Sequence, residues 1–181
     1  MMVLNYQEAV RRYGSAYRIR KAIENKELTR LRRDLYVVDS QIDPLAAVQA
    51  RYPHAIFTMD CAFYYHGLTD VVPEIWHLAT PRNATRINNP QVKQYFELPA
   101  YFGVGREQLT FNGVSLQVYD RERMLIELVR RQSSLPFDYY KEIVQSYRKL
   151  ADELDMEKLE DYLEIISGRV NYYDILQKEI F

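Results

Sequence analysis

Tyr13-Gly-Ser-Ala-Tyr-Arg-Ile-Arg-Lys-Ala-Ile-Glu-Asn-Lys-Glu-Leu-Thr-Arg-Leu-Arg-Arg-Asp-Leu-Tyr36 is the stretch on which the reading of this chain turns. Gly14 ends whatever precedes it, because glycine takes the left-handed backbone that closes helices. Ser15 is a good N-cap, its hydroxyl able to accept from an otherwise unpaired amide of the first turn. From Ala16 the apolar residues fall at Ala16, Ile19, Ala22 and Ile23, one narrow stripe of a helix running to Asn25. The opposite face carries Tyr17, Arg18, Arg20, Lys21 and Glu24. Leu28 and Leu31 then lead to the basic pair Arg32-Arg33, and Leu35-Tyr-Val-Val38 reads as a strand. Asp34 suits the turn between, since aspartate tolerates left-handed backbone better than most residues. The result is a small hairpin with arginines at its tip.

Upstream, residues 4–13 read as a short helix with Leu4, Ala9, Val10 and Tyr13 on one face. Helix, tight turn, basic helix and basic hairpin follow in the order of a winged helix-turn-helix. In such a unit the second helix lies in the DNA major groove with its first turns at base edges. That placement puts Ser15, Tyr17, Arg18 and Lys21 near bases or phosphates, with Arg30, Arg32 and Arg33 of the wing on phosphate or in the minor groove. Arginine and lysine donate to guanine N7 and O6 or to phosphate. About five such contacts would make log K fall with log salt at a slope near −4 to −5.

Charge distribution points the same way. The 181 residues have a net charge of −1, but residues 1–33 hold nine Lys and Arg against three Asp and Glu. Residues 150–181 hold three against nine. A basic end and an acidic end suggest separate partners, with duplex DNA meeting the first 40 residues and little else. The bland alternative is two solvated faces of opposite sign.

Beyond residues 39–44, a polar joint, the expected boundary separates a domain over 1–40 from one over 44–181. The second reads as helix 44–52, strand 55–58, helix 60–66 capped by Thr58 or Asp60, and strands 74–80, 92–98 and 114–119. Asn112-Gly113 signals a hairpin with 108–111. The pattern turns helical from Asp120, is broken by Ser133 to Pro136, and gives helices over 138–150, 155–167 and 171–180. The expected class is α+β: a small N-terminal winged helix-turn-helix, then a mixed α/β domain ending in a C-terminal helical bundle.

Catalytic and metal signals are weak. His54, His66 and His77 include no pair spaced to put two ligands on one helical face. Cys61, the single cysteine, lies among Met59, Ala62 and Phe63 and reads as a core residue; one cysteine forms no internal disulfide. Gly14-Ser15 has no following Asp-x-Asp metal pair, and Gly103-Val-Gly105 is too short for a phosphate loop. The sixteen tyrosines suit a core or an interface. No catalytic residue, cofactor or metal is expected. No apolar run approaches a membrane span, and no secretory core precedes Arg11 and Arg12, so the expected location is the cytoplasm.

Residues 13–36 resemble the winged helix-turn-helix of the AbiEi antitoxin family, from abortive-infection phage-resistance systems classed as type IV toxin–antitoxin pairs. Leu28, Arg30, Arg32, Arg33, Leu35 and Tyr36 fill its pattern of a basic wing closing on an aliphatic-Tyr pair. Thr58-Met-Asp-Cys-Ala-Phe-Tyr-Tyr-His-Gly-Leu-Thr69 is similar to the family's segment ending His-Gly-Leu-Thr. Trp76-His-Leu-Ala-Thr-Pro81, and Asn112-Gly113 followed by Asp120-Arg-Glu-Arg-Met-Leu-Ile-Glu-Leu128, are similar to two further segments. The resemblance covers most of residues 13–130. The family usually has a further helix before the pair and glycine at the wing turn, where this chain has Asp34.

The resemblance implies a non-enzymatic antitoxin that binds inverted repeats in its own promoter, represses its operon, and counteracts a nucleotidyltransferase toxin without needing a stable complex. Two other classes compete: a protein- or RNA-interaction module without duplex DNA binding, and a hydrolase or nuclease built on the α/β middle around His66 or His77.

Overall fold

The computed structural model describes residues 2–38, 43–166 and 172–180. The joint expected at residues 39–44, apart from Asp43 and Pro44, lies outside them, as do Gly168, expected to end a helix, and Asn171, expected to begin one. The chain is α+β and divides into two units, residues 1–53 and 54–181.

The first unit begins with a strand rather than a helix. β1 (Met2–Asn5) pairs antiparallel with β3 (Leu35–Val38), which also pairs with β2 (Thr29–Arg32), in the order β1-β3-β2. Asn5 sets the boundary between β1 and α1 (Tyr6–Tyr13). Its side chain accepts from Glu8 N at 2.9 Å, and its own amide donates to Glu8 Oε2 at 2.7 Å. This reciprocal capping box satisfies two amides that a helix start leaves unpaired. The spacing Asn5-x-x-Glu8 was the signal available in the sequence.

Gly14 closes α1 with φ 85°, its amide donating to Val10 O at 2.7 Å. α2 (Ala16–Glu24) follows at once. Ile19 and Ala22 pack with Leu4, Ala9, Leu28 and Tyr36 into the unit's core. α3 (Pro44–Arg51), with Asp43 accepting from Leu45 N at 2.8 Å, belongs to this unit. The division into compact units falls after Pro53, while the polar joint read from the sequence lies before α3. Leu45 and Val48 bury the apolar side of α3, and α3 neighbours β2.

The second unit is built on a mixed five-stranded sheet, ordered β6-β5-β4-β8-β7. Its strands are β4 (Ile56–Phe57), β5 (Trp76–Pro81), β6 (Val92–Glu97), β7 (Arg106–Phe111) and β8 (Val114–Tyr119). β5 and β6 run parallel, as do β4 and β8. Asn112 (φ 49°) and Gly113 (φ 78°) make the two-residue turn joining β7 to β8. Positive φ at both central residues matches the right-handed twist of a hairpin, which is why Asn-Gly signals it.

Between β4 and β5 lies α4 (Met59–Tyr65); α5 (Pro99–Phe102) is a short helix the periodicity did not reveal. α6 (Arg121–Arg130), α7 (Phe137–Lys149), α8 (Met156–Ile166) and α9 (Tyr172–Glu179) complete the chain. Thr58 stands at the N-cap position of α4 without capping it; its hydroxyl points to Met124 Sδ at 3.7 Å. Asp120 caps α6, accepting from Arg123 N at 2.9 Å.

α6 departs most from its sequence pattern. Every residue from Glu122 to Val129 is buried, where only a stripe at Met124, Leu125, Leu128 and Val129 was expected. α4, α8 and α9 all neighbour it. Two of the charged residues this buries, Arg123 and Glu127, form one network with β6. Glu127 accepts from Arg123 at 2.8 Å, from Arg131 at 3.0 Å, and from Arg130. Glu97 accepts from Arg131 at 2.9 Å and stands 3.6 Å from both Arg123 and Arg130. The guanidinium carbons of Arg123 and Arg131 each lie 4.8 Å from a ring centre, of Tyr119 and Tyr95 respectively. Burial alone would raise the Glu127 carboxyl, but Arg123, Arg130 and Arg131 hold it below the usual range.

Gly105 abuts this helix. It has φ 73°, and a Cβ there would collide with Arg123 and lie 2.8 Å from Asp120 Oδ1. Left-handed backbone and a clash against a buried, networked side chain add together. Gly105→Ala is expected to cost about 2–4 kcal/mol in urea unfolding. A loss under about 0.5 kcal/mol would mean that the α6 N-terminus yields easily.

Candidate nucleic-acid interface

Two pieces of local structure build the candidate interface. The first is α2, started by Ser15, whose hydroxyl accepts from Arg18 N at 3.3 Å. Because Ile19 and Ala22 face inward, Tyr17, Arg18, Arg20, Lys21 and Glu24 face solvent. Tyr17 is 68% exposed, and Lys21 Nζ stands 5.9 Å from its ring centre. The second is the β2–β3 wing, turning at Arg33 and Asp34. Arg30 folds back to donate to Arg33 O at 3.2 Å, and Tyr36 donates to the same oxygen at 3.4 Å.

The wing turn differs from expectation. Asp34 does not take left-handed backbone; among the described residues of this unit Lys26, just past α2, is the non-glycine residue that does, with φ 61°. Pairing of β2 with β3 instead shifts register between Arg30 and Arg32, where Leu31 tucks inward at 5% exposure. A bulge of this kind adds twist without needing a left-handed turn residue.

An open groove of about 450 Å³ runs between α2 and the wing. Arg20 enters it from α2, Arg30 and Arg33 from the wing, with Tyr6, Tyr36 and Asp34 completing the lining. Three guanidiniums against one carboxylate leave the groove cationic, and each presents a planar fork of donors matched to phosphate oxygens.

Of the residues expected at an interface, Arg30 and Arg33 line this groove. Tyr17 and Lys21 share an exposed stripe of α2 but do not line it. Arg18 lies back over the helix–helix turn, its Nη1 3.7 Å from where a Gly14 Cβ would stand. Ser15 spends its hydroxyl's acceptor capacity on the cap. Arg32 belongs to β2, and its side chain lies outside the described residues. Arg20 was missed. Its offsets of four from Ala16 and three from Ile23 place it beside the buried stripe, on the flank that meets the wing.

In the second unit the side chains of His66, His77 and Cys61 are turned inward, whereas His54 is exposed. His66 Nε2 donates to Tyr119 O at 2.7 Å, taking the neutral Nε2–H tautomer. His77 Nδ1 accepts from Tyr95 OH at 3.2 Å, and its Nε2 lies 3.6 Å from Asp60 Oδ2. Cys61 is fully buried, and burial pushes its thiol up to about 12, far from nucleophilic thiolate. Among the described residues no group of three or more His, Cys, Asp or Glu is placed to hold a metal ion. None of their helices is long and apolar enough to cross a membrane.

Burial lowers the pKa of His66, against the Tyr119 carbonyl that raises it. Burial likewise lowers His77, opposed by Asp60 and aided by Lys93. Below about pH 6.5 the unfolded chain therefore binds protons that the folded chain refuses, so stability falls as pH falls through that point. Desolvation shifts buried Asp120 and half-buried Glu107 up from 3.8 and 4.5, which acts in the opposite direction at lower pH. The urea midpoint is expected to drop between pH 7.5 and 6, and to drop less in H66Q and H77Q. A midpoint that holds level in the parent chain would contradict this.

No protein-family model matches the chain, and no curated protein does. Among solved structures it is similar to the crystal structure of the Rv2827c protein from Mycobacterium tuberculosis, with a TM-score of 0.64 and 15% identity. That similarity covers 91% of this chain and 67% of the other. At this identity it speaks for a shared fold alone.

Proposed function

We propose that this chain is a DNA-binding autorepressor and the antitoxin of a type IV toxin–antitoxin pair. The observation that carries the first half is the convergence of Arg20, Arg30 and Arg33 on the groove between α2 and the wing. The N-terminal charge excess supports it, since the basic residues fall on the helix and hairpin that a duplex would meet. In this reading α2 enters the major groove, with Tyr17 and Lys21 toward base edges. Arg20, Arg30 and Arg33 bracket the phosphates between helix and wing. The capped turn at Gly14-Ser15 sets the angle at which α2 enters, so Ser15 and Arg18 act at the periphery.

The antitoxin half rests on the resemblance of residues 58–69, 76–81 and 112–128 to the AbiEi family. Its partner would be a nucleotidyltransferase toxin encoded by a neighbouring reading frame.

A gel shift on the duplex upstream of the reading frame tests the first half. Binding is expected to weaken with salt at a log–log slope near −4 to −5. Salt-insensitive or undetectable binding to any duplex would favour the interaction-module alternative. Co-expression with the neighbouring nucleotidyltransferase tests the second. Rescue of growth by residues 54–181 in the full chain, with Arg20, Arg30 and Arg33 changed to alanine, separates neutralisation from repression.

A further inference from the structure

Between Glu74 and Glu97 the chain has no acidic residue, yet carries Arg82, Arg86 and Lys93. These lie on the connection between β5 and β6 and on β6 itself, an edge strand of the five-stranded sheet. All three side chains are exposed, and among the described residues none has a carboxylate within 4.0 Å.

The connection is tied down by one amide. Gln94 Oε1 accepts from Ile87 N at 2.7 Å, while its Nε2 donates to Thr80 Oγ1 at 2.8 Å and Thr85 O at 3.2 Å. Between the loop and β6 runs a groove of about 570 Å³, lined among others by Arg86, Asn88, Lys93 and Phe96. Phe96 is a large apolar ring left 45% exposed on the edge strand.

Cations with no carboxylate partner, of which Lys93 stands 5.5 Å from the Tyr95 ring centre, and an exposed ring beside a fixed loop match one ligand chemistry. Phosphates meet the cations, and a base stacks on the ring. An acidic peptide would use the cations but has no need of the ring. A duplex hides its base faces from it. We propose that this groove of the second unit binds a single-stranded nucleic-acid segment, with Arg86 and Lys93 of its lining, and Arg82 on the same connection outside the lining, on its phosphates and Phe96 beneath a base. The proposal is independent of the α2–wing interface and of the reading built on it.

The experiment uses the full chain with Arg20, Arg30 and Arg33 changed to alanine, so that the other cationic groove is silent. Fluorescence anisotropy follows labelled oligouridylate and oligothymidylate of about twelve nucleotides. Binding is expected with a log–log salt slope near −2, from three phosphate contacts on a single strand. Further changing Arg82, Arg86 and Lys93 to alanine should weaken it at least tenfold. F96A should weaken it about tenfold and F96Y should restore it, which separates stacking from a folding defect. A preference for either oligonucleotide supports the proposal. No binding by the silenced chain overturns it. So does affinity indifferent to the second set of changes, or polyglutamate competing as well as the oligonucleotides.

Discussion

Changing Arg20, Arg30 and Arg33 together to alanine is expected to lower affinity for the upstream promoter duplex at least about a hundredfold. Each guanidinium that neutralises phosphate releases counterion, so the log–log salt slope should also become shallower by about 2.7. The effect is large because the three reach one groove from two elements, α2 and the wing. Removing one leaves two to hold the same phosphates. Removing all three leaves Asp34 as the charged side chain lining it, which would repel the backbone.

Arg30 has a second task, since it holds the wing tip through Arg33 O. R20A with R33A, which leaves that bond in place, should therefore show most of the loss. R18A alone, outside the groove, should cost far less. Equal losses from R18A and R20A would mean that the charge of the unit matters and its groove does not.

Glu127→Ala is expected to cost about 3–5 kcal/mol of stability. The carboxylate is 1% exposed and is shared by three guanidiniums, of which Arg123 has no exposed side-chain surface. Without it, those three cations are left with Glu97 alone. A buried charge stripped of its partner loses the attraction while still bearing its desolvation.

The single tryptophan, Trp76, lies in β5, so its fluorescence during urea unfolding reports the unit concerned. E127Q, which keeps shape and some hydrogen bonding, should fall between. R123M with E127L removes charge from both sides and should lose less than E127A. A loss below about 1 kcal/mol for E127A would show that water reaches the network and screens it.

Features written in neighbouring residues were legible. Gly14-Ser15, Asn112-Gly113 and the stripe Ile19-Ala22-Ile23 each specify a turn, cap or face through contacts a few residues long, and each appears as read. Readings failed where the partner was distant. Residues 2–5 form a strand because β3, some thirty residues on, offers an edge. Arg123 and Glu127 lie outside the stripe read for α6, but Glu97, Arg130 and Arg131 compensate their charge inside.

The candidate interface divides along the same line. Composition alone marked residues 1–33 as the basic end, and the spacing of caps and apolar residues made a helix and a hairpin of them. Those are properties of local backbone preference and of charge, which needs no partner to be counted. Which cations share a groove depends on how α2 rotates against the wing, and Ile19 and Ala22 set that rotation by packing on Leu4, Leu28 and Tyr36. Arg20 thereby joins Arg30 and Arg33, while Arg18 does not. Likewise the edge position of β6, which leaves Phe96 exposed among cations, follows from the order of a five-stranded sheet. Strand order is decided by long-range pairing, and no window of sequence contains it.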